Sequence, residues 1–182
     1  MSEIYSPAED SYLMSGTLKK VVPKLLIKKP ELNLLEVGCG SGFNMQTAVS
    51  LGINKNNILG CDINVNAVEH CKKLGFNCIK SDLFSDIRGE FDIIVFNPPY
   101  LPLDEREPKD SRTATTGGKK GNEIIISFLK KAKNHLANGG KIFLITSSLS
   151  KDIDFIAFGY NAEVINEKKL FFEKLTVWEL KI

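Results

Sequence analysis

The sequence contains no long apolar run, and this absence bears on where the protein acts. Although 43% of its 182 residues are hydrophobic, no stretch approaches the ~20 apolar residues that span a bilayer. The segment Met1–Tyr5 also lacks the basic start and the apolar stretch of a secretory signal. These absences predict a cytoplasmic protein with no membrane partner.

An excess of one charge sign is missing as well. The 24 Lys and Arg residues nearly balance the 22 Asp and Glu residues, so the formal net charge is only +2. The overall charge therefore does not demand a nucleic-acid partner. Basic residues do gather in residues 19–29 and 119–133, where they either form solvated faces or attract an acidic or tRNA-shaped surface.

Cysteine is scarce, and histidine is scarcer. The four cysteines show no C-x-x-C spacing, and the two histidines do not form a pair near them. Zinc sites and redox dithiols usually show such spacing. We therefore expect no metal site and four reduced, mostly buried thiols at Cys39, Cys61, Cys71 and Cys78.

The length predicts a single domain over residues 1–182, because the chain is too short for a core and an independent second domain. Residues 1–31 form an N-terminal helical segment in this prediction, and residues 32–182 form an α/β core. Ser6, Pro7 and Glu9 have the spacing of a capping box, which predicts a helix to about Lys20. Lys19–Pro30 is either a second short helix or a linker.

Short apolar runs alternate with amphipathic stretches from Leu32 onward, as in a mostly parallel sheet covered by helices on both faces. A closing antiparallel hairpin is predicted at the C-terminal end. The predicted strands are Asn33–Gly38, Ile58–Asp62, Phe76–Lys80, Phe91–Asn97, Lys141–Ser147, Ala162–Glu167 and Thr176–Leu180, and the predicted core helices are Asn44–Leu51, Val65–Leu74, Asn122–Leu136 and Lys151–Phe158.

The first core strand leads into a glycine-rich turn that contains Gly38, Gly40 and Gly42. Such a turn lets the backbone approach a ligand closely at the carboxyl edge of the sheet. A dinucleotide motif would need its third glycine where Phe43 stands, which disfavours a pyrophosphate. Glu36 just before the turn would repel a phosphate but attract an ammonium or sulfonium cation.

Two further carboxylates follow the next two strands. Asp62 and Ile63 come at the end of the second strand, where an acid can accept both hydroxyl hydrogens of a ribose. The alternative for Asp62 is to cap the following helix. Asp82 and Leu83 come after the third strand, where a carboxylate and nearby backbone can recognise an adenine.

The fourth strand is followed by Asn97-Pro98-Pro99-Tyr100, the most specific motif of the chain. The lone pair of an amide or aryl amine is delocalised, so its methylation requires acceptors that hold both N–H hydrogens. The Asn97 side-chain oxygen and the Pro98 carbonyl suit this role, because the two prolines fix the backbone. Tyr100 offers a flat face for a planar amide beside a sulfonium.

With these motifs in order, the chain resembles the class I S-adenosylmethionine-dependent methyltransferases over nearly its whole length. The resemblance implies a Rossmann-like fold with a mostly parallel seven-stranded sheet and an antiparallel C-terminal strand. It implies that Glu36, Gly38 and Gly40 hold the methionine part of the cofactor, with Asn97 also next to it. Asp62 with Ile63 would bind the ribose, Asp82 with Leu83 would bind the adenine, and the product would be S-adenosylhomocysteine.

More narrowly, the segments Tyr5–Leu13, Gly117–Gly121 and Phe171–Leu175 resemble the archaeal and eukaryotic release-factor glutamine methyltransferases. This implies that the substrate is the glutamine of the Gly-Gly-Gln loop in a class 1 translation release factor. It also implies that Tyr5, Glu9 and Ser11 close over the cofactor and that Gly117 and Gly118 contact the substrate. Residues Leu101–Gly121 would then be either a lid over the substrate loop or a surface insertion.

Members of that family commonly work with a small zinc-binding activator protein that pairs with an exposed sheet edge. The resemblance places Phe76–Lys80 at this edge, where Phe76, Cys78 and Ile79 are apolar for an unpaired strand. The alternative is that a local helix or loop shields the edge.

Two rival functions follow from the same residues. The Asn-Pro-Pro-Tyr motif also fits the amino group of adenine or cytosine, but a nucleic-acid methyltransferase usually needs a recognition domain or a strongly basic face. The second rival is a cofactor-binding subunit without catalysis. The intact motif at Asn97 argues against it.

Overall fold

The computed structural model describes residues 4–103 and 115–182, and seven strands within these residues form one sheet. Their order is β3-β2-β1-β4-β5-β7-β6, and β7 alone runs against the direction of the other six. This confirms the predicted fold class. The strands are β1 Leu34–Val37, β2 Ile58–Asp62, β3 Asn77–Lys80, β4 Phe91–Phe96, β5 Leu136–Ser147, β6 Asn161–Lys169 and β7 Lys174–Lys181.

Helices cover both faces of the sheet. They are α1 Glu9–Lys28, α2 Phe43–Ser50, α3 Val65–Lys73 and α4 Glu123–Ala132, with single 3-10 turns at Lys55–Asn57, Lys133–His135 and Ile156–Phe158. Successive strand residues point to opposite faces, so Val95 of β4 packs with α1, α2 and α3, whereas Phe96 packs with α4. Apolar residues three and four apart give α4 its buried face, which comprises Ile125, Phe128, Leu129 and Ala132.

The N-terminal helix differs from its prediction at both ends. It begins at Glu9 after an extended Ala8 that makes no side-chain capping bond, so the capping box at Ser6 was wrong. It then continues to Lys28 with Pro23 inside it. The helix persists because Leu25 and Leu26, beyond the proline, pack against the core, and this burial outweighs the lost hydrogen bond.

Two segments in the C-terminal half of the chain also differ from their predicted secondary structure. Of the helix predicted over Lys151–Phe158, only Ile156–Phe158 is helical. The Lys151 nitrogen donates to Lys120 O and the Lys151 carbonyl accepts from Asn122, so these groups serve a tertiary contact instead of a helix. Helix α4 ends at Ala132, earlier than predicted, and β5 begins already at Leu136, with a register irregularity against β4 before Lys141.

The strand order changes direction between β1 and β4. In this kind of sheet, ligands bind at the carboxyl ends of the strands beside such a switch point. Val37 is paired with both Cys61 and Phe96, so the residues that follow the three strands, Gly38, Asp62 and Asn97, come out side by side. Within residues 4–103 and 115–182, no helix has the length and apolar character needed to cross a bilayer.

Candidate active site

A cavity of about 670 Å³ opens at this edge of the sheet. Its size falls within the range of small-molecule sites. The walls come from the turns after β1, β2, β3 and β4, from the start of α1 and from one side of α4. The site residues predicted from the sequence that line it are Tyr5, Ser11, Glu36, Gly38, Gly40, Asp62, Ile63, Asp82, Leu83, Asn97, Pro98, Pro99 and Tyr100.

The glycine turn has the conformation that its sequence requires. Gly38, Gly40 and Gly42 have φ angles of +67°, +48° and +74°, which side chains with a Cβ rarely adopt. The Gly40 nitrogen donates to a carboxylate oxygen of Asp62 over 2.9 Å. The turn therefore presents bare backbone to the cavity and is fixed to the end of β2.

Glu36 is a buried acid with one oxygen left over. Its Oε1 accepts a 2.9 Å hydrogen bond from the Asn44 amide, whereas Oε2 has no partner among the residues that the structure describes. Burial raises the pKa of Glu36 to about 8, although the bond from Asn44 partly opposes this shift. A cationic group would restore the ionised form, so Glu36 suits an ammonium ligand. No pattern in the sequence pointed to Asn44.

Asp62 stands at the end of β2 and holds two backbone segments. Besides the bond from Gly40, its Oδ1 accepts the Asn64 nitrogen at 2.8 Å. Burial raises its pKa, and these backbone bonds oppose the shift. The capping role considered for Asp62 belongs to Asn64, whose side chain accepts the Asn66 nitrogen at the start of α3. Asp62 is thus left to face the cavity beside the half-exposed Ile63.

The turn after β3 carries the only non-glycine residue with positive φ in the described parts of the chain, Leu83 at +51°. Its carbonyl accepts the Ser81 hydroxyl at 2.9 Å and the Cys61 thiol at 3.5 Å. Strained backbone of this kind persists only where its surroundings hold it, and it clusters at ligand sites. Asp82 is exposed next to it and lines the cavity.

Asn97 directly follows β4, and its side-chain oxygen is buried. This Oδ1 has no hydrogen-bond partner within the described chain. A buried acceptor without a partner is costly, and because Asn97 is one of the residues that line the cavity, a bound ligand is a candidate for the missing donor. The next residues are anchored, because the Ser150 hydroxyl donates to Tyr100 O over 2.8 Å. Burial and the nearby Asp10 carboxylate raise the Tyr100 pKa well above its usual range.

The start of the chain contributes Tyr5, Asp10 and Ser11 to the cavity wall. The Tyr5 hydroxyl donates to Asp10 at 3.0 Å, and Asp10 also accepts the Ser11 nitrogen at 2.5 Å. Glu9 is exposed, forms an ion pair with Lys168 and does not line the cavity. Its neighbour Asp10 was missed in the prediction from the sequence, because the resemblance to the glutamine methyltransferases pointed to Glu9 and nothing in the local sequence shows which of the two acids faces the cavity.

Gly117 and Gly118 do not line the cavity but support its wall. The Gly117 nitrogen donates to Leu101 O over 2.9 Å, and a Cβ on Gly117 would lie 2.6 Å from Pro99 O. These glycines allow the backbone to pack closely behind the Asn97–Tyr100 segment. Thr115 and Thr116 line the cavity instead. Residues 104–114 of the predicted lid lie outside the described part of the chain.

Helix α4 supplies a wall that the sequence did not reveal. Glu123, Ile124, Ser127, Lys130 and Lys131 border the cavity from this side. The basic run was visible in the sequence, but its position beside the site was not, because α4 reaches the cavity only through its packing on the sheet. The two lysines give this wall positive charge.

Comparison with known proteins shows to which family the chain is similar. Residues 18–171 match the methyltransferase small domain family. A putative protein N5-glutamine methyltransferase from Methanocaldococcus jannaschii is 36% identical in an alignment of 193 positions that covers 98% of this chain and 93% of that protein. The eRF1 methyltransferase catalytic subunit mtq2 from Schizosaccharomyces pombe is 29% identical, over 82% of this chain and 74% of that protein.

Solved structures show the same fold. The crystal structure of a ribosomal protein L11 methylase from Lactobacillus delbrueckii subsp. bulgaricus matches with a TM-score of 0.59 and 19% identity. The match covers 91% of this chain and 77% of that chain. At this identity the likeness concerns the sheet and its helices alone.

Proposed function

The chain belongs to the methyltransferase small domain family, and on that basis we propose that it is an S-adenosylmethionine-dependent N-methyltransferase. Its proposed target is the glutamine of the Gly-Gly-Gln loop of a class 1 translation release factor. The observation that carries the proposal is that Asn97 lines the cavity and that its buried Oδ1 has no partner among the described residues. An incoming NH₂ group would supply the missing donor.

The residues of the cavity fit this cofactor. Glu36 has an unpartnered oxygen for an ammonium group, the glycine turn leaves room for a ligand near the backbone, and Asp62 faces the same space. Asp82 and Leu83 lie further along the wall, where they would contact the adenine. When bound, S-adenosylmethionine supplies a methyl group activated by its sulfonium charge, and S-adenosylhomocysteine is the product.

Asn97 and Pro98 hold the nitrogen that accepts the methyl group. The Asn97 oxygen and the Pro98 carbonyl accept the two N–H hydrogens, which turns the lone pair toward the donor. Tyr100 stacks on the amide plane. Catalysis is then mainly a matter of positioning, which contributes roughly 7–11 kcal/mol in well-oriented systems. No strong base is needed, because the proton can leave after the methyl group has been transferred.

The nature of the target is supported by the relatives. One is named as a protein N5-glutamine methyltransferase and matches nearly the whole chain. Another is named as the catalytic subunit of an eRF1 methyltransferase. A release factor as substrate would place the enzyme in the cytoplasm, where translation ends.

The decisive experiment offers the purified protein a class 1 release factor and methyl-labelled S-adenosylmethionine. A release factor with Gln→Ala in the Gly-Gly-Gln loop is the matched control. We expect label on the wild-type factor and none on the variant, with mass spectrometry placing the methyl group on the glutamine side chain. Equal labelling of the two factors would remove glutamine as the target.

The alternative target is the amino group of adenine or cytosine. Lys130 and Lys131 at the cavity wall favour it, because they could contact a phosphate backbone. A parallel assay with transfer RNA, ribosomal RNA and DNA tests this function. Label in nucleic acid but not in the release factor would establish the alternative. Cofactor binding without label in either would indicate a non-catalytic subunit.

We also propose that a small zinc-binding activator pairs with the edge of the sheet at Phe76–Lys80. The position of β3 at the end of the sheet supports this. The side chains of Phe76 and Cys78 are buried by the chain itself, so the contact would rest mainly on backbone pairing rather than on an apolar patch. Co-purification with a candidate activator, followed by sedimentation and activity measurements, tests the pairing, and independent sedimentation with unchanged activity would contradict it.

A further inference from the structure

Three of the four cysteines meet in space. The Sγ atoms of Cys39, Cys71 and Cys78 all lie within 4.8 Å of one another. They come from the turn after β1, from α3 and from β3, and all three side chains are buried. The absence of a metal site was predicted from spacing along the chain. Spacing along the chain does not detect such a cluster, because thiols from separate elements can converge without any local motif.

A fourth sulfur borders the same space. The Cys78 Sγ and the Met45 Sδ each lie 2.8 Å from the position that a Cβ on Gly60 would occupy, and the Cys39 Cβ lies 3.1 Å from it. Glycine at position 60 therefore leaves the room into which these side chains point. The group is composed of sulfur alone, and within the described chain it includes no histidine or carboxylate.

We propose that Cys39, Cys71 and Cys78 form a buried site for a soft, thiophilic metal ion, with Cu(I) as the ion that fits best. Thiolate and thioether ligands select Cu(I), whereas a structural zinc site needs four strong ligands in a tetrahedron. Three thiols with Met45 nearby provide the sulfur ligands that Cu(I) prefers, but not the four strong ligands of a structural zinc site. Each thiol that binds releases its proton to solvent, and the oxidation state of copper and sulfur does not change.

An entry path and a source of positive charge are present. A small surface cleft next to β3 is lined by Cys78 together with Lys55 and Lys72. An ion could reach Cys78 through this cleft, and the lysines would offset the negative charge that thiolates add. On the opposite side, Cys39 lines the large cavity at the carboxyl edge. The thiol site thus lies between the surface cleft and the proposed cofactor site.

Its position links the thiol site to cofactor binding, a step that rests on the proposed function. Cys39 stands between Gly38 and Gly40, and the Gly40 nitrogen is bonded to Asp62. Drawing the Cys39 sulfur toward an ion would displace this turn and weaken the binding of S-adenosylmethionine. By linkage, the cofactor would weaken ion binding by the same factor.

The site is tested by titrating the reduced protein anaerobically with Cu(I) in competition with the chelator bicinchoninate. The variants are Cys71→Ser and Cys78→Ser, with Cys61→Ser as the matched control, because Cys61 is equally buried but packs on the other face of the sheet. We expect one ion per wild-type chain, no change in Cys61→Ser and at least about tenfold weaker binding in the other two variants. Equal binding by all four proteins, or none by the wild type, would mean that the three thiols serve packing only.

Two further measurements test the thiol site, its link to cofactor binding and the proposed function separately. X-ray absorption of the wild-type copper complex should show sulfur neighbours alone, and a shell of nitrogen or oxygen would overturn the proposal even if the serine variants do not fold. Calorimetry should show at least about fivefold weaker S-adenosylmethionine binding in the Cu(I)-loaded protein. Unchanged affinity would overturn the link between the sites but not the thiol site. Failure of the metal-free protein to bind the cofactor would contradict the proposed function instead.

Discussion

The backbone nitrogen of Gly40 donates a 2.9 Å hydrogen bond to the Asp62 carboxylate, which joins the turn after β1 to the end of β2. The second carboxylate oxygen accepts the Asn64 nitrogen at 2.8 Å. One side chain thus fixes two neighbouring turns and still faces the cavity. The turn that would hold the methionine part and the acid that would bind the ribose are therefore positioned as a single unit.

Replacing Asp62 should disrupt both of these contacts. We expect Asp62→Ala to weaken S-adenosylmethionine binding at least about 100-fold, because the variant can no longer accept the two ribose hydroxyls, at about 1.5–3 kcal/mol each, and the glycine turn loses its bond to the end of β2. Calorimetry measures the affinity. Glu90→Ala, an exposed carboxylate outside the cavity wall, is the control. Similar affinities in the two variants would contradict the role of Asp62.

Asn97 should affect the chemical step rather than cofactor binding. We expect Asn97→Ala to lower kcat by about 10²–10³, in the range found when one positioned hydrogen-bonding group is removed from an active site. The affinity for S-adenosylmethionine should change little. Single-turnover transfer of labelled methyl, measured beside calorimetry, separates the two effects. Unchanged turnover would refute the proposed hydrogen bond from the NH₂ group to Asn97.

The raised pKa of Glu36 predicts how cofactor binding depends on pH. Its carboxyl is neutral below a pKa of about 8 in the ligand-free protein, whereas an ammonium group binds the ionised form. Affinity for S-adenosylmethionine should therefore increase as the pH rises toward about 8, with protons released on binding below that pH. Glu36→Gln should bind weakly and without this pH dependence.

The raised pKa of Glu36 can also be tested in the ligand-free protein, through the dependence of its stability on pH. Between the ordinary carboxyl pKa of 4.5 and the raised pKa of about 8, the folded state holds a proton that the unfolded chain has released. The free energy of unfolding should thus fall as the pH rises through this interval. Thermal unfolding of the wild type and of Glu36→Gln measures the effect, and identical pH profiles for both proteins would contradict it.

Tyr100 should act through its ring and not through its hydroxyl. Burial keeps its pKa well above the usual range, so the phenol stays neutral at working pH. We expect Tyr100→Phe to keep near-normal turnover and Tyr100→Ala to lose at least about tenfold, the effect of about 1.4 kcal/mol of transition-state stabilisation. Steady-state kinetics on the release factor compare the two. Equal losses would assign the role to the hydroxyl.

Gly117 packs against the backbone of the Asn97–Tyr100 segment, so a side chain at this position should disturb both the fold and the reaction. A Cβ there would come within 2.4 Å of Gly121 O and 2.6 Å of Pro99 O. We expect Gly117→Ala to destabilise the fold by about 1–3 kcal/mol and to lower kcat, since Pro99 must shift. Gly16→Ala is the control, because no atom lies within 4 Å of its Cβ position in α1, and it should be neutral or stabilising by about 0.4–1 kcal/mol. Chemical denaturation and kinetics measure both.

The sequence by itself determined the sheet and most of the cavity wall. Glu36, Asp62 and Asn97 could be located because each lies at or next to a strand end that its own apolar run defines. In a parallel sheet, the carboxyl ends of neighbouring strands lie at one edge. A pattern that is local along the chain is therefore enough to place these residues together.

Only the tertiary structure decided the features that depend on contacts between distant segments. It extended α1 through Pro23, placed Asp10 rather than Glu9 at the cavity and set Gly117 behind Pro99. It also brought three cysteines from separate elements within reach of one ion. No spacing rule reports such contacts, because they arise when helices and loops pack on the sheet and the free energy of that burial outweighs local preference.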